Sequence, residues 1–229
     1  MAKKKDQEEV IVDVNEVYTK TELFVDRNRK TLVTVLVAIV AVVLIGAAYF
    51  YLMVKPAEND ANADSWKAEQ YFEVDSLDLA MIGDGLYAGL EDVASDHDGT
   101  KAGARAHYDL AIIARDRGDF ETALDHFEKV SLSDDVVSVL AQGGIGDCHV
   151  ELGNYEEGAK AFERAAAMAR GTNAEGFTAP MMLYKAGIAQ MELGQNDKAA
   201  KNFKKVVDNY PEAQVHGRAQ RYAAYLGKK

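Results

Sequence analysis

The chain has 229 residues and a formal charge of −11, all of it carried by the residues from Lys55 onward; residues 1–30 balance seven Lys/Arg against seven Asp/Glu, and 31–54 hold no charge. So acidic a domain repels a phosphate backbone, whose affinity for protein comes mainly from Lys and Arg, and a nucleic-acid partner is not expected. The single cysteine, Cys148, excludes an intrachain disulfide, and three prolines in a chain rich in Ala, Leu, Glu and Lys favour helix over strand.

In chain order, residues 1–30 form a polar segment of mixed charge. Val10, Val14 and Val17 make a short apolar stripe leading into Leu23 and Phe24, which predicts a helix continuous with the next segment. Residues 31–54 then run without a charge. As a helix this stretch is roughly 36 Å long against a hydrocarbon core of about 30 Å. Its fourteen Leu, Ile, Val and Phe residues carry a favourable insertion term of roughly −4 to −8 kcal/mol. Tyr49, Phe50 and Tyr51 stand where an interfacial aromatic belt would lie. A leader of this length and so long an apolar run predict an uncleaved transmembrane helix rather than a signal peptide, although Ala61-Asn62-Ala63 resembles a cleavage site. Arg27, Arg29 and Lys30 flank its N-terminal end, while Lys55 stands among Glu58, Asp60 and Asp64. The positive-inside rule therefore predicts a cytoplasmic N-terminus and a large domain beyond the membrane, in a bacterium the periplasm.

Polar residues 55–64 read as a flexible linker. A helix capped by Ser65 is expected over 65–80, with Trp66, Tyr71, Phe72 and Leu77 near one face and a partner helix around 86–94; together they form a degenerate first repeat over 65–100. From Ala104 a period is legible. Ala111, Gly146 and Gly187 each precede a glycine by seven residues, at Gly118, Gly153 and Gly194. Ala123, Gly158 and Ala199 follow those glycines by five, and Phe127, Phe162 and Phe203 by nine. Each glycine ends a first helix, the small residues let two helices cross closely, and the Phe fills the gap between pairs. No pair hides its apolar face alone, so the pairs stack. The expected repeats are 104–137, 139–170 and 180–211, with a Gly-rich loop at 170–179 and a capping helix over 212–226 using Val215, Tyr222 and Tyr225.

This small-residue, Gly, aromatic, Ala, Phe pattern resembles the tetratricopeptide repeat, with Pro211 at the family's terminal Pro, Asn196 where an aromatic is expected, and no Trp opening any repeat. The fold the resemblance implies is an all-α solenoid of antiparallel helix pairs behind one transmembrane helix. Together with the layout, the segments Trp66-Lys-Ala-Glu-Gln-Tyr-Phe, Leu79-Ala-Met-Ile-Gly-Asp-Gly and Gly99-Thr-Lys-Ala-Gly are similar to YfgM-like ancillary subunits of the bacterial SecYEG translocon, in versions from Bacteroidota. That resemblance implies attachment to SecY, SecE and SecG and cooperation with periplasmic chaperones or nascent secreted chains. An assembly scaffold for another envelope complex, in division or outer-membrane machinery, is the alternative within binding proteins, and a hydrolase with an unrecognised site the alternative outside them.

In tetratricopeptide arrays the first helix of each repeat lines the binding groove. The resemblance maps this surface onto Arg105, Tyr108, Ile112 and Arg115; Leu140, Gly143, Asp147 and Val150; and Met181, Tyr184, Ile188 and Met191. Met and Tyr adapt to varied apolar ligands and anchor interfaces. Packing against neighbouring repeats is an equal reading for Ile112, Leu140 and Ile188. The carboxylate-clamp subfamily places Lys and Asn where this chain has Tyr108 and Ile112, so that specificity is not expected. For catalysis the residues offer little. Asp147-Cys148-His149 is the one tight cluster, and neighbours on a helix diverge by about 100°. Gly83-Asp-Gly85 lacks the Lys and Ser/Thr of a phosphate loop, and Asp96-His-Asp-Gly99 lacks the remaining ligands of a calcium loop. No cofactor, metal or catalytic set is expected.

Overall fold

The computed structural model describes residues 14–131 and 136–227, with side chains from position 22; Val10, at the start of the expected N-terminal stripe, lies outside the described residues. The chain divides into two compact units, residues 1–56 and 57–229. All regular structure among the described residues is helical.

The first unit contains α1 (Val14–Tyr49), which runs into a single π turn at Phe50–Val54. Its polar side chains bond back along the helix, Asn28 Nδ2 donating to the Phe24 carbonyl at 2.8 Å and Thr34 Oγ1 to that of Lys30 at 2.9 Å. Such bonds satisfy polar groups without water. The apolar side chains are exposed on every side, Val42 and Ile45 at 70%. A core helix of this hydropathy, 2.8 over its best 18-residue window, would be buried. Among the described residues this is the one helix long and apolar enough to cross a membrane by length and composition.

Helix α2 (Lys55–Glu73), all but its first two residues in the second unit, α3 (Leu77–Ile82) and α4 (Leu90–Asp96) precede three helix pairs. These are α5 (Lys101–Asp116) with α6 (Phe120–Glu128), α7 (Val137–Glu151) with α8 (Tyr155–Ala169), and α9 (Glu175–Glu192) with α10 (Asn196–Asn209). Helix α11 (His216–Leu226) closes the array.

Gly118, Gly153 and Gly194 all take the left-handed conformation, at φ 79°, 79° and 67°. In each pair the following residue donates its N–H five residues back: Asp119 to Ala114, Asn154 to His149 and Gln195 to Gln190, at 2.8–2.9 Å. This is the Schellman ending, and it turns each first helix into its partner. Gly146 faces the ring of Phe162, Gly187 that of Phe203, and Gly144 that of Phe127 from the preceding pair. Three core clusters follow one another along the array. One joins α2–α5 around Leu90 and Leu110; the next joins α5–α7 around Ala111 and Phe127; the last joins α7–α11 around Phe162, Phe203 and Val206.

Several expected boundaries move. Residues 55–64 are helical, not a flexible linker. Ala61, Ser65 and Ala68 form a buried stripe at helical spacing, and the polar residues find partners on and beside α5. Glu58 accepts the Lys101 backbone N–H at 3.1 Å, Asn62 Oδ1 accepts from Arg105 at 2.9 Å, and Asp64 meets His97 at 2.8 Å. Ser65 is therefore interior and not a cap. The single helix expected over 65–80 breaks between α2 and α3, where Asp75 adopts φ 60°. The partner helix starts at Leu90 rather than 86. Only residues 170–174 remain of the Gly-rich loop, since α9 begins at Glu175 and carries Pro180 inside it. The capping helix begins at His216, because Pro211 and the turns after it leave residues 212–215 outside.

Candidate functional site

Successive first helices lie side by side, so equivalent positions on α5, α7 and α9 face one cleft of about 280 Å³. It gathers Tyr108, Ile112 and Arg115 from α5, Leu140, Gly143 and Asp147 from α7, and Met181 from α9, all positions on the expected groove. Phe127 of α6 lies behind Tyr108, the two rings edge to face at 5.9 Å. Burial is what chiefly raises the Tyr108 hydroxyl above its ordinary pKa, with Arg115 opposing.

The remaining groove residues separate. Arg105 turns to α2, its Nε 3.2 Å from Glu69 and its Nη2 on Asn62. Val150, Ile188 and Met191 are partly buried against the last core cluster. Tyr184 lines a different cleft, with Arg218, Arg221, Tyr222 and Tyr225 of α11.

Six members of the first cleft lie outside the groove positions expected from the sequence: Phe127, Gly144, Phe177, Thr178, Met182 and Lys185. Phe177 is 71% exposed at its rim, on α9 rather than in the expected loop. Lys185 places its Nζ 2.8 Å from both Asp147 carboxylate oxygens. The side chains are 35% and 31% exposed, so the pair orients α7 and α9 side chains more than it stabilises them. The signal available was the Met181–Lys185 spacing of four, which puts both on one helix face.

Titratable groups elsewhere have structural explanations. Cys148 is fully buried, and burial followed by the Asp147 charge pushes its thiol up to about 11, the opposite of an activated nucleophile. Asp109 is raised to about 7 by burial and then by Glu69, with Arg105 opposing. His107 and His126 face each other across α5 and α6 with Nδ1 atoms 3.0 Å apart. Burial first lowers both pKa values; Lys129 lowers both further, and His107 also lowers that of His126. Gly99 ends a turn beside His97, whose ring is committed to Asp64. Among the described residues no group of three or more His, Cys, Asp or Glu side chains is placed to hold a metal ion.

Family models of the tetratricopeptide repeat match residues 108–174 and 182–213. The chain carries tetratricopeptide repeats. The first match runs from the second half of α5 through α8 and the turn after it, and the second covers most of α9, α10 and the turn after it. Tetratricopeptide repeats make protein-interaction adaptors, and the cleft across α5, α7 and α9 crosses both matched segments. No curated protein matches the chain.

Proposed function

We propose that this chain is a single-pass protein of the bacterial inner membrane, anchored through residues 31–54, whose tetratricopeptide domain lies in the periplasm and binds proteins at the SecYEG export channel. Its partners in this reading are SecY, SecE and SecG on one side and periplasmic chaperones or emerging secreted chains on the other. The observation that carries the adaptor role is the cleft in which Tyr108, Ile112, Leu140 and Met181 gather from three successive repeats. Apolar, adaptable side chains rimmed by one exposed aromatic and one ion pair suit a peptide segment better than a reaction. The anchor rests on the exposed apolar face of α1. The orientation rests on Arg27, Arg29 and Lys30 before the span, and the translocon on the segments 66–72, 79–85 and 99–103.

Purification from native membranes in mild detergent, with identification of the co-purifying proteins, tests the assignment. Translocon subunits are expected at near-stoichiometric levels, and their absence overturns the translocon part. Protease added to spheroplasts should degrade the repeat domain without lysis. Protection until lysis would place it in the cytoplasm and overturn the orientation.

A further inference from the structure

The second cleft differs in chemistry from the first. Arg218, Arg221, Tyr222 and Tyr225 recur at i, i+3, i+4 and i+7, one face of α11. That face meets Tyr184 of α9 around an open volume of about 570 Å³, within the size range of ligand sites. The floor is rigid. Tyr222 stacks on Phe203 with ring centroids 5.1 Å apart, and Tyr184 packs against both rings. Phe203 is itself fully buried.

Among the described residues the walls carry positive charge without an ion-pair partner. Of the other arginines in the domain, Arg105, Arg115 and Arg117 pair with Glu69, Asp116 and Asp78, and Arg164 and Arg170 on and after α8 have no ion pair among the described residues. Arg218 and Arg221 have no hydrogen bond or ion pair among the described residues, although the residues from Lys55 onward carry the whole charge of −11. Burial and then Tyr222 raise the Tyr184 hydroxyl above its ordinary pKa, with Arg218 and Arg221 opposing. A capping helix needs only a polar outer face, and two guanidiniums lining one cleft with three tyrosines exceed that need.

We infer that the cleft between α9 and α11 docks an acidic segment of a partner protein, its carboxylates bound by Arg218 and Arg221 and an aromatic or apolar side chain lying on Tyr184 and Tyr222. The inference rests on the protein-binding reading above and names the chemistry of one partner. Guanidinium forks match carboxylates in a bidentate geometry, and tyrosine rings supply rigid apolar area beside them. Anionic lipid is the weaker occupant, because surface attraction takes clusters of about four to eight Lys/Arg and this cleft offers two.

The test uses the full chain in nonionic detergent and a fluorescein-labelled ten-residue peptide of alternating Asp and Phe with blocked ends, read by fluorescence anisotropy. The same peptide with Asn for Asp is the control. The Asp peptide should bind at least tenfold more tightly, and the preference should shrink as salt rises. The double variant R218E/R221E, which alters only the exposed face of α11, should lose at least tenfold for the Asp peptide and gain preference for a Lys/Phe peptide, with unchanged circular dichroism. Equal binding of the Asp and Asn peptides overturns the inference. So does binding by R218E/R221E at the native level, or binding that depends on these arginines only for vesicles containing phosphatidylserine. If instead R218E/R221E keeps the Asp peptide while Phe177→Asp loses it, the site lies in the first cleft and the adaptor reading stands. Absence of any peptide binding, together with absence of co-purifying proteins, would sink that reading too.

Discussion

Replacing Gly146 by Ala puts one methyl group into the crossing of α7 and α8. The new Cβ would lie 2.6 Å from Cδ1 and Cε1 of Phe162, whereas carbon atoms rest at about 3.5–4.0 Å, so roughly 1 Å must be opened. The ring cannot swing aside, because Phe162 is 2% exposed and shares a cluster with Ala165, Ala166 and Leu183. Overpacking of this kind costs about 1–3 kcal/mol. Ala is the better helix former by about 1 kcal/mol, which offsets part of that cost. The net loss should be up to about 2 kcal/mol, or up to roughly 8 °C in Tm for a domain of this size. Gly217→Ala on α11 is the control, since nothing lies within 4 Å of its Cβ; it should gain up to about 1 kcal/mol. Gly187 repeats the geometry of Gly146, with Phe203 at 2.7 Å, and should respond as Gly146 does. Thermal unfolding monitored by far-UV circular dichroism measures all three. If Gly146→Ala and Gly187→Ala are stabilised as much as Gly217→Ala, the crossings are not the close contacts described, and the repeat register falls with them.

The titrating groups and the first cleft lead to three further outcomes. Asp109 has a folded pKa of about 7, above its ordinary value, so the stability it contributes is full below about pH 4 and lost as pH rises through 7. Asp109→Asn should therefore stabilise the domain at pH 8, by up to about 4 kcal/mol, and change little at pH 4; equal effects at both pH values in urea unfolding would remove the carboxyl as the cause. The His107–His126 pair acts in the opposite sense. Both pKa values are lowered by burial, so stability is full above the ordinary histidine value of about 6.5 and declines as pH falls below it. The groups facing the pair are Asp98 before α5, Asp125 and Lys129 on α6 and its cap, and Glu91 of α4. In the Asp109→Asn background, His126→Gln should flatten the loss between pH 7.5 and 5.5; an unchanged slope assigns it elsewhere. Phe177→Asp, at a 71% exposed rim position, should leave the melting temperature unchanged and reduce capture of co-purifying proteins; undiminished capture would move the interface off this cleft.

The helical class, the period and the apolar span were legible because each is written at short range. Gly118, Gly153 and Gly194 announce their turns through a backbone conformation that glycine adopts most readily. The spacing to Phe127, Phe162 and Phe203 carries the packing of one helix on the next, and residues 31–54 declare themselves by the absence of charge. Expected groove positions such as Tyr108, Ile112, Leu140, Asp147 and Met181 reach one cleft for the same reason, since they repeat at fixed places on successive first helices.

Tertiary structure alone decided the rest. Residues 55–64 are poor in apolar side chains, and they help form α2 because Glu58, Asn62 and Asp64 meet Lys101, Arg105 and His97, which lie 33 to 43 positions later. Asp147 and Lys185 bond across 38 residues, and Arg218 and Arg221 share a cleft with Tyr184 only because α11 packs on α10 and meets α9. Helical period and turn chemistry act between residues a few positions apart and can be read in one dimension. The partner of a charged side chain is set by which helices end up side by side.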